Sequence, residues 1–239
     1  MSGSFGSAYY MRHNARRLEH LASLGFDLFG KSVLEVGAGV GDLTSFFIDR
    51  GCTVTAIEPR PENVQAFQET FRDYYYGPSV TVHLITCDVE SMSLLVREEF
   101  DIVFCYGLLY HTSDPGRVLT LLAERCSGLL LLETCVSLGD GEAVNSVEED
   151  AVQSTQSFHG GACRPSRPWV FNRLRELFPF VYVPATQPVH PEFPLDWTTP
   201  SSSPTGLTRA VFIGSRHALD LPLLLDRLPT RQLPAGWPG

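Results

Sequence analysis

Three features of the 239-residue chain predict an α/β fold built on a mostly parallel sheet with helices on both faces. The first is the stretch Val33-Leu34-Glu35-Val36-Gly37-Ala38-Gly39-Val40-Gly41-Asp42-Leu43-Thr44. It reads as a strand buried on both faces, a glycine-rich turn and the opening of a helix. The second is a strand–helix alternation that begins at Lys31 and implies parallel strands with right-handed crossovers. The third is a pair of late strand-like runs joined by a loop alone.

Residues 1–30 read as an N-terminal cap, with a helix from about Ala8 to Leu24 stopped by Gly25. Its polar residues Arg12, His13, Asn14, Arg16 and Arg17 are expected on a solvated face. Strand one is Ser32–Val36, and its helix runs from Asp42 to about Arg50. Strand two, Thr53–Ile57, precedes a helix from Pro61, a proline suited to a first turn, to about Tyr74. Strand three is Val80–Thr86, with a short helix over Met92–Glu98. Strand four, Phe100–Tyr106, leads to a helix capped by Asp114-Pro115 and reaching Cys126. Strand five is Gly128–Thr134. Residues 137–167 show no period, and an irregular segment of that length inside a domain points to function or to disorder. Trp169–Phe178 reads as a helix, Phe180–Val183 and Thr208–Gly214 as strands, and residues 184–204 as a proline-rich loop. The tail from His217 is expected to be a loose helix and a disordered end.

Composition narrows the function classes. A mean hydropathy of +0.00 with 44% hydrophobic residues is that of a soluble globular chain. The net charge of −9 argues against a nonspecific nucleic-acid or anionic-membrane surface. The N-terminal residues lack the apolar core of a secretory signal, and the longest leucine runs are too short to cross a bilayer. The six cysteines form no C-x-x-C pair and mostly lie in apolar runs, which fits reduced core residues of a cytoplasmic protein.

The glycine turn selects its ligand by charge. A dinucleotide fingerprint places its third glycine where this chain has Asp42. An aspartate there would repel a pyrophosphate resting on the helix N-terminus, and Glu35 adds a second negative charge. In this E-x-G-x-G-x-G form the chain resembles the class I S-adenosylmethionine-dependent methyltransferases, whose ligand is cationic at its sulfonium and ammonium groups. The resemblance covers residues 31–136 well and the remainder to about residue 215 more weakly. It implies a Rossmann-like, seven-stranded sheet of order 3-2-1-4-5-7-6 with the last strand antiparallel. It also implies a methyltransferase domain over residues 31–215, with S-adenosyl-L-methionine as cofactor.

Cofactor contacts then belong at the carboxyl ends of the parallel strands. Glu35 lies on the strand entering the turn, and Gly37, Gly39 and Gly41 would let backbone meet the methionine moiety. Glu58 ends strand two roughly 20 residues beyond the turn, where an acid accepts from ribose hydroxyls. Asp88, at the end of strand three, resembles the acid that accepts from the adenine amino group, with Val89 beside it. Tyr106 would lie near the transferred methyl. The resemblance also places Tyr9, Tyr10 and Asn14 at the active-site mouth.

The segment Leu109-Tyr110-His111-Thr112-Ser113-Asp114-Pro115 has the L-Y-H-x-x-D-P form of a subgroup that includes tRNA wobble-uridine enzymes and many sugar or small-molecule methyltransferases. An oxygen nucleophile benefits from a base of near-neutral pKa, and His111 is the candidate. The alternative is that His111 only orients the Asp114 cap or the cofactor carboxylate. H-x-x-D alone is too little for a metal, and His159, Cys163 and His190 lack ligand spacing. Arg164 and Arg167, set between prolines beside Trp169, are candidates to bind an acceptor carboxylate or phosphate, joined by Tyr110, His159 and Trp169. The acidic balance makes tRNA a poor substrate, and the resemblance implies methyl transfer to an oxygen, with nitrogen and carbon as alternatives, of a small polar acceptor such as a sugar or biosynthetic metabolite. Rival readings are a tRNA or protein methyltransferase, a silent scaffold, and a nicotinamide oxidoreductase.

Overall fold

A computed structural model describes residues 5–72, 81–199 and 205–236. Along the chain lie α1 (Ala8–Ser23), β1 (Ser32–Val36), α2 (Ser45–Ile48), β2 (Thr53–Ile57), α3 (Pro61–Thr70) and β3 (Val82–Ile85). Then come α4 (Met92–Leu95), β4 (Phe100–Tyr106), a 3-10 turn (Leu109–His111), α5 (Pro115–Glu124) and β5 (Cys126–Cys135). The second half holds β6 (Val144–Glu148), β7 (Gly161–Pro165), α6 (Arg167–Leu177), β8 (Phe180–Pro184) and β9 (Thr186–Gln187). It closes with β10 (Arg209–Ser215), β11 (Leu224–Leu225) and β12 (Leu233–Pro234). The expected end of the second helix at Tyr74 and the start of strand three at Val80 lie outside the described residues.

The main sheet has the order β11-β8-β10-β5-β4-β1-β2-β3. Strands β1 to β5 pair in parallel, and β10 inserts antiparallel between β5 and β8. The expected order is present, with β8 and β10 as sixth and seventh strands and a short β11 added at the edge. Side-chain alternation along each strand divides the core into two layers. Leu34, Val103 and Leu130 face one layer, while Val33, Ile102 and Leu131 face the other. Burial on both faces is why these strands read as unbroken apolar runs.

Helix starts follow their capping residues. Ser7 accepts from the Tyr10 amide at 3.2 Å, and Asp114 accepts from the Arg117 amide at 2.9 Å with Pro115 following. All six cysteines are buried and unpaired. Among the described residues no helix is long and apolar enough to cross a membrane.

Four expectations need correction. The helix after the glycine turn is only α2, because residues 41–44 form turns before it. The irregular 137–167 segment contains the β6–β7 hairpin, whose first strand is polar and mostly exposed and so carries no buried-face alternation. The tail is no helix in its described part: β11 pairs with β8 and β12 with β9. Finally, the polar face of α1 is solvated only in part: Arg12 is exposed and Arg16 half-buried, but His13, Asn14, Arg17 and His20 are buried.

Candidate active site

One cleft opens along the carboxyl ends of β1, β2, β3 and β4, where the strand order reverses. Its floor is the glycine turn. Gly39 takes φ +58°, a left-handed angle that suits glycine, and faces the cleft with only the Phe5 ring near the place of a Cβ. Gly37 also lines the cleft. Gly41 does not: at φ +89°, a Cβ there would lie 2.3 Å from the Phe71 ring and 2.9 Å from Phe67. Its role is therefore close packing against α3 rather than ligand contact.

Carboxylates rim this half. Glu58 accepts from the Gly39 amide at 2.9 Å through Oε2, and from the Arg60 amide and Asn63 Nδ2 at 3.1 Å through Oε1. Asp88 accepts from the Glu90 and Ser91 amides and from Ser91 Oγ. Burial alone would raise Asp88, but these hydrogen bonds hold it below its ordinary range. Glu35 is fully buried and accepts from Thr44 Oγ1 at 2.6 Å; desolvation lifts it to about 7. Asp42, raised by burial, accepts from Asn14 Nδ2 of α1 at 3.1 Å. Val89 and Tyr106 also line the cleft. Such a rim suits a cation and opposes a pyrophosphate.

The other half is built by α1, the 3-10 turn and β10. Glu133, wholly buried at the end of β5, sits between two arginines: Arg17 Nη2 is 3.2 Å from Oε2 and Arg209 Nη1 is 3.0 Å from Oε1. Arg209 also donates to Tyr110 Oη at 2.9 Å and pairs with Glu192 at 2.5 Å. Burial opposes its charge, yet Glu133 and Glu192 keep it ionised. Tyr106 Oη, His13 Nε2 and Arg17 Nε are buried without a hydrogen-bond partner among the described residues.

His111 lines the same cleft, its ring stacked 3.9 Å from that of Tyr110. Its Nδ1 hydrogen-bonds Glu149 Oε2. Burial lowers His111 below its usual range, so the ring is neutral at physiological pH. Burial would raise Glu149, but His111, Arg164 and the Ser157 amide hold it near 2.

The expected acceptor contacts divide. Tyr110 lines the cleft, and so does His159, but His159 lies beside Asp88, at the carboxylate-rimmed half. Arg164 is held by Glu149 and by the Tyr110 and Cys163 carbonyls, outside the cleft wall. Arg167 donates to the Pro229 carbonyl at 3.2 and 3.3 Å and stacks 3.7 Å from the Trp197 ring, fastening the tail instead. Trp169 packs against the core. Arg164, Arg167 and Trp169, expected as acceptor contacts, thus do not line the cleft: Arg164 is taken up by Glu149 and two carbonyls, Arg167 by the tail and Trp169 by the core.

His159, Cys163 and His190 form no ligand group among the described residues, whereas His13, His190 and Glu192 do gather. Hydrogen bonds engage two of its members. Glu192 already accepts from Tyr9, Thr205 and Arg209, and His190 Nδ1 accepts from the Glu192 amide, which leaves the proton on Nε2. The reading of residues alone missed Arg17, Arg60, Glu133, Glu149 and Arg209. None of them belongs to a local motif, and only a distant partner marks each.

Residues 33–127 match a family model described as a methyltransferase domain. Over 131 residues the chain is 29% identical to a ubiquinone biosynthesis O-methyltransferase of Actinobacillus pleuropneumoniae, covering 54% of this chain and 53% of that one. Over 123 residues it is 34% identical to a tRNA U34 carboxymethyltransferase of Alteromonas mediterranea, covering 49% and 36%. The chain thus spans about half or less of the curated relatives it matches. The N-terminal domain of EvdMO1, solved with SAH bound, superposes with a TM-score of 0.63 at 23% identity, covering 84% of this chain and 80% of that one. Magnesium protoporphyrin IX methyltransferase from Synechocystis PCC 6803 gives 0.56 at 15% identity, covering 87% and 80%. These structures share the fold.

Proposed function

We propose that the methyltransferase domain of this chain binds S-adenosylmethionine in the carboxylate-rimmed half of the cleft and methylates a hydroxyl of a small polar acceptor, such as a sugar or another biosynthetic metabolite. The observation that carries this reading is the continuity of one cleft from Gly37 and Gly39, past Tyr106, to His111. When bound, the cofactor supplies a methyl group on a cationic sulfonium. The open backbone at Gly39 and the rim of Glu35, Asp42, Glu58 and Asp88 fit that ligand in shape and charge.

Gly37 and Gly39 present backbone to the methionine portion. Glu58 keeps a free lone pair on Oε2 for a ribose hydroxyl, and Asp88 keeps one on Oδ2 for the adenine amino group, with Val89 alongside. His111, neutral in the fold, takes the acceptor's hydroxyl proton on Nε2. Tyr106 Oη, which has no hydrogen-bond partner among the described residues, favours an acceptor that carries hydroxyls. A small acceptor is favoured over tRNA because Glu133 and Glu192 neutralise Arg17 and Arg209, and the chain is acidic overall.

Calorimetric titration with S-adenosylhomocysteine, beside NAD, tests the reading. Binding of the former alone, weakened at least about tenfold by Asp88→Ala, which is about 1.4 kcal/mol, supports it. Binding of neither ligand, or of NAD, overturns it. A positive result leads to a screen of hydroxylated acceptors with labelled methyl donor.

A further inference from the structure

The loop from Glu149 to Gly160 joins β6 to β7 and crosses the cleft, with residues Ser154 to His159 forming part of its wall. It is fastened from the cofactor side. Arg60 donates to the carbonyls of Ala151, Gln156 and Ser157 at 3.0 to 3.1 Å, and its guanidinium lies 5.4 Å from the Phe158 ring. Asn63, which already holds Glu58, donates to the Ser154 carbonyl at 3.3 Å. At its root, the Ser157 amide donates to Glu149 Oε2 at 2.8 Å, and Arg164 donates to Oε1 at 3.0 Å. Glu149 does not line the cleft; it stands behind His111 and engages Nδ1.

We propose that Glu149 is a positioning residue for His111, and that the strap 149–160, clasped by Arg60 and Asn63, sets this pairing when it lies across the cleft. The inference rests on the proposed role of His111 as base. A carboxylate that accepts from Nδ1–H fixes the neutral tautomer whose Nε2 lone pair is the ring atom left to the cleft. When Nε2 takes the acceptor's proton, Nδ1–H stays on its nitrogen, and the imidazolium faces a carboxylate already fixed by Arg164 and Ser157. The same logic orients the histidine of a nucleophile–histidine–carboxylate triad. The strap also joins the acid that would hold ribose to the base through Glu58, Asn63, Ser154, Ser157 and Glu149. Cofactor and acceptor sites thus share one scaffold.

The charges facing His111 are Glu149 from the strap, which favours the imidazolium, and Arg164 of β7 and Arg209 of β10, which oppose it. Nitrogen-resolved spectra of the ¹⁵N-histidine-labelled full chain, assigned with His111→Gln and followed through a pH titration, read the tautomer and the protonation midpoint without any acceptor. The wild type is expected to hold the Nδ1–H tautomer. Glu149→Gln is expected to mix the tautomers and lower the midpoint, and Arg60→Met to shift both in the same direction by less. A wild-type Nε2–H tautomer, or an unmoved midpoint in Glu149→Gln, overturns the proposal. An unmoved Arg60→Met spectrum overturns the clasp. If Glu149→Gln does not fold, the wild-type tautomer decides alone. Failure of the methyl-donor reading is registered separately, by the S-adenosylhomocysteine titration.

Discussion

The Gly39 amide donates to the Glu58 carboxylate across 2.9 Å, fixing the glycine turn to the end of β2 before any ligand arrives. The same carboxylate holds the Arg60 amide and Asn63, and through them the strap over the cleft. Glu58→Ala would leave several buried donors unpaired. Thermal melts are expected to show a loss of about 1–3 kcal/mol, accompanied by weaker S-adenosylhomocysteine binding. Unchanged binding in a folded variant would separate Glu58 from the ligand.

The turn glycines are expected to fail differently. Gly41→Ala meets the Phe71 ring and a left-handed angle, so stability should fall by about 1–3 kcal/mol or more. Gly39→Ala meets the same left-handed strain but only the Phe5 ring at 3.2 Å, so it should lose less stability than Gly41→Ala while weakening the ligand. Paired melting and calorimetry check the contrast.

Glu35 makes stability depend on pH. The unfolded chain loses this proton near the ordinary 4.5, whereas the fold keeps it to about 7. Across that window the native state binds more protons, so Glu35 lowers stability as pH rises. Glu35→Gln should therefore stabilise the chain by about 2–3 kcal/mol above pH 7 and do so negligibly below the unfolded pKa. Equal effects at both ends of a melting series would contradict this origin.

Arg209 and Arg167 differ in what they hold. Arg209→Met strips Glu192 of its guanidinium and Glu133 of one of two, and should cost about 3–5 kcal/mol in denaturant unfolding. Arg167→Ala loses the Pro229 carbonyl and the Trp197 face, a loss of about 1–2 kcal/mol. S-adenosylhomocysteine affinity should be unchanged by Arg167→Ala. A large affinity loss there would return Arg167 to the cleft.

The residues alone determined the strand ladder and the glycine turn. β1, β2 and β4 begin and end where their apolar runs do, because a strand buried on both faces writes its burial into a contiguous segment. Glu58 was legible as the acid that directly follows such a run, and Asp88 as an acid shortly after the less buried β3. Only the tertiary structure decided the other half of the cleft. Arg209 reaches Tyr110 from 99 residues away, and Arg17 meets Glu133 from the opposite end of the chain. Strand β6 likewise needs its partner β7 to form, since its own residues are mostly exposed. A buried charge is stable only beside its counter-charge. No local pattern reports which distant segment will supply it, so packing alone set Glu149 behind His111 of the cleft and left Arg167 and Trp169 outside it.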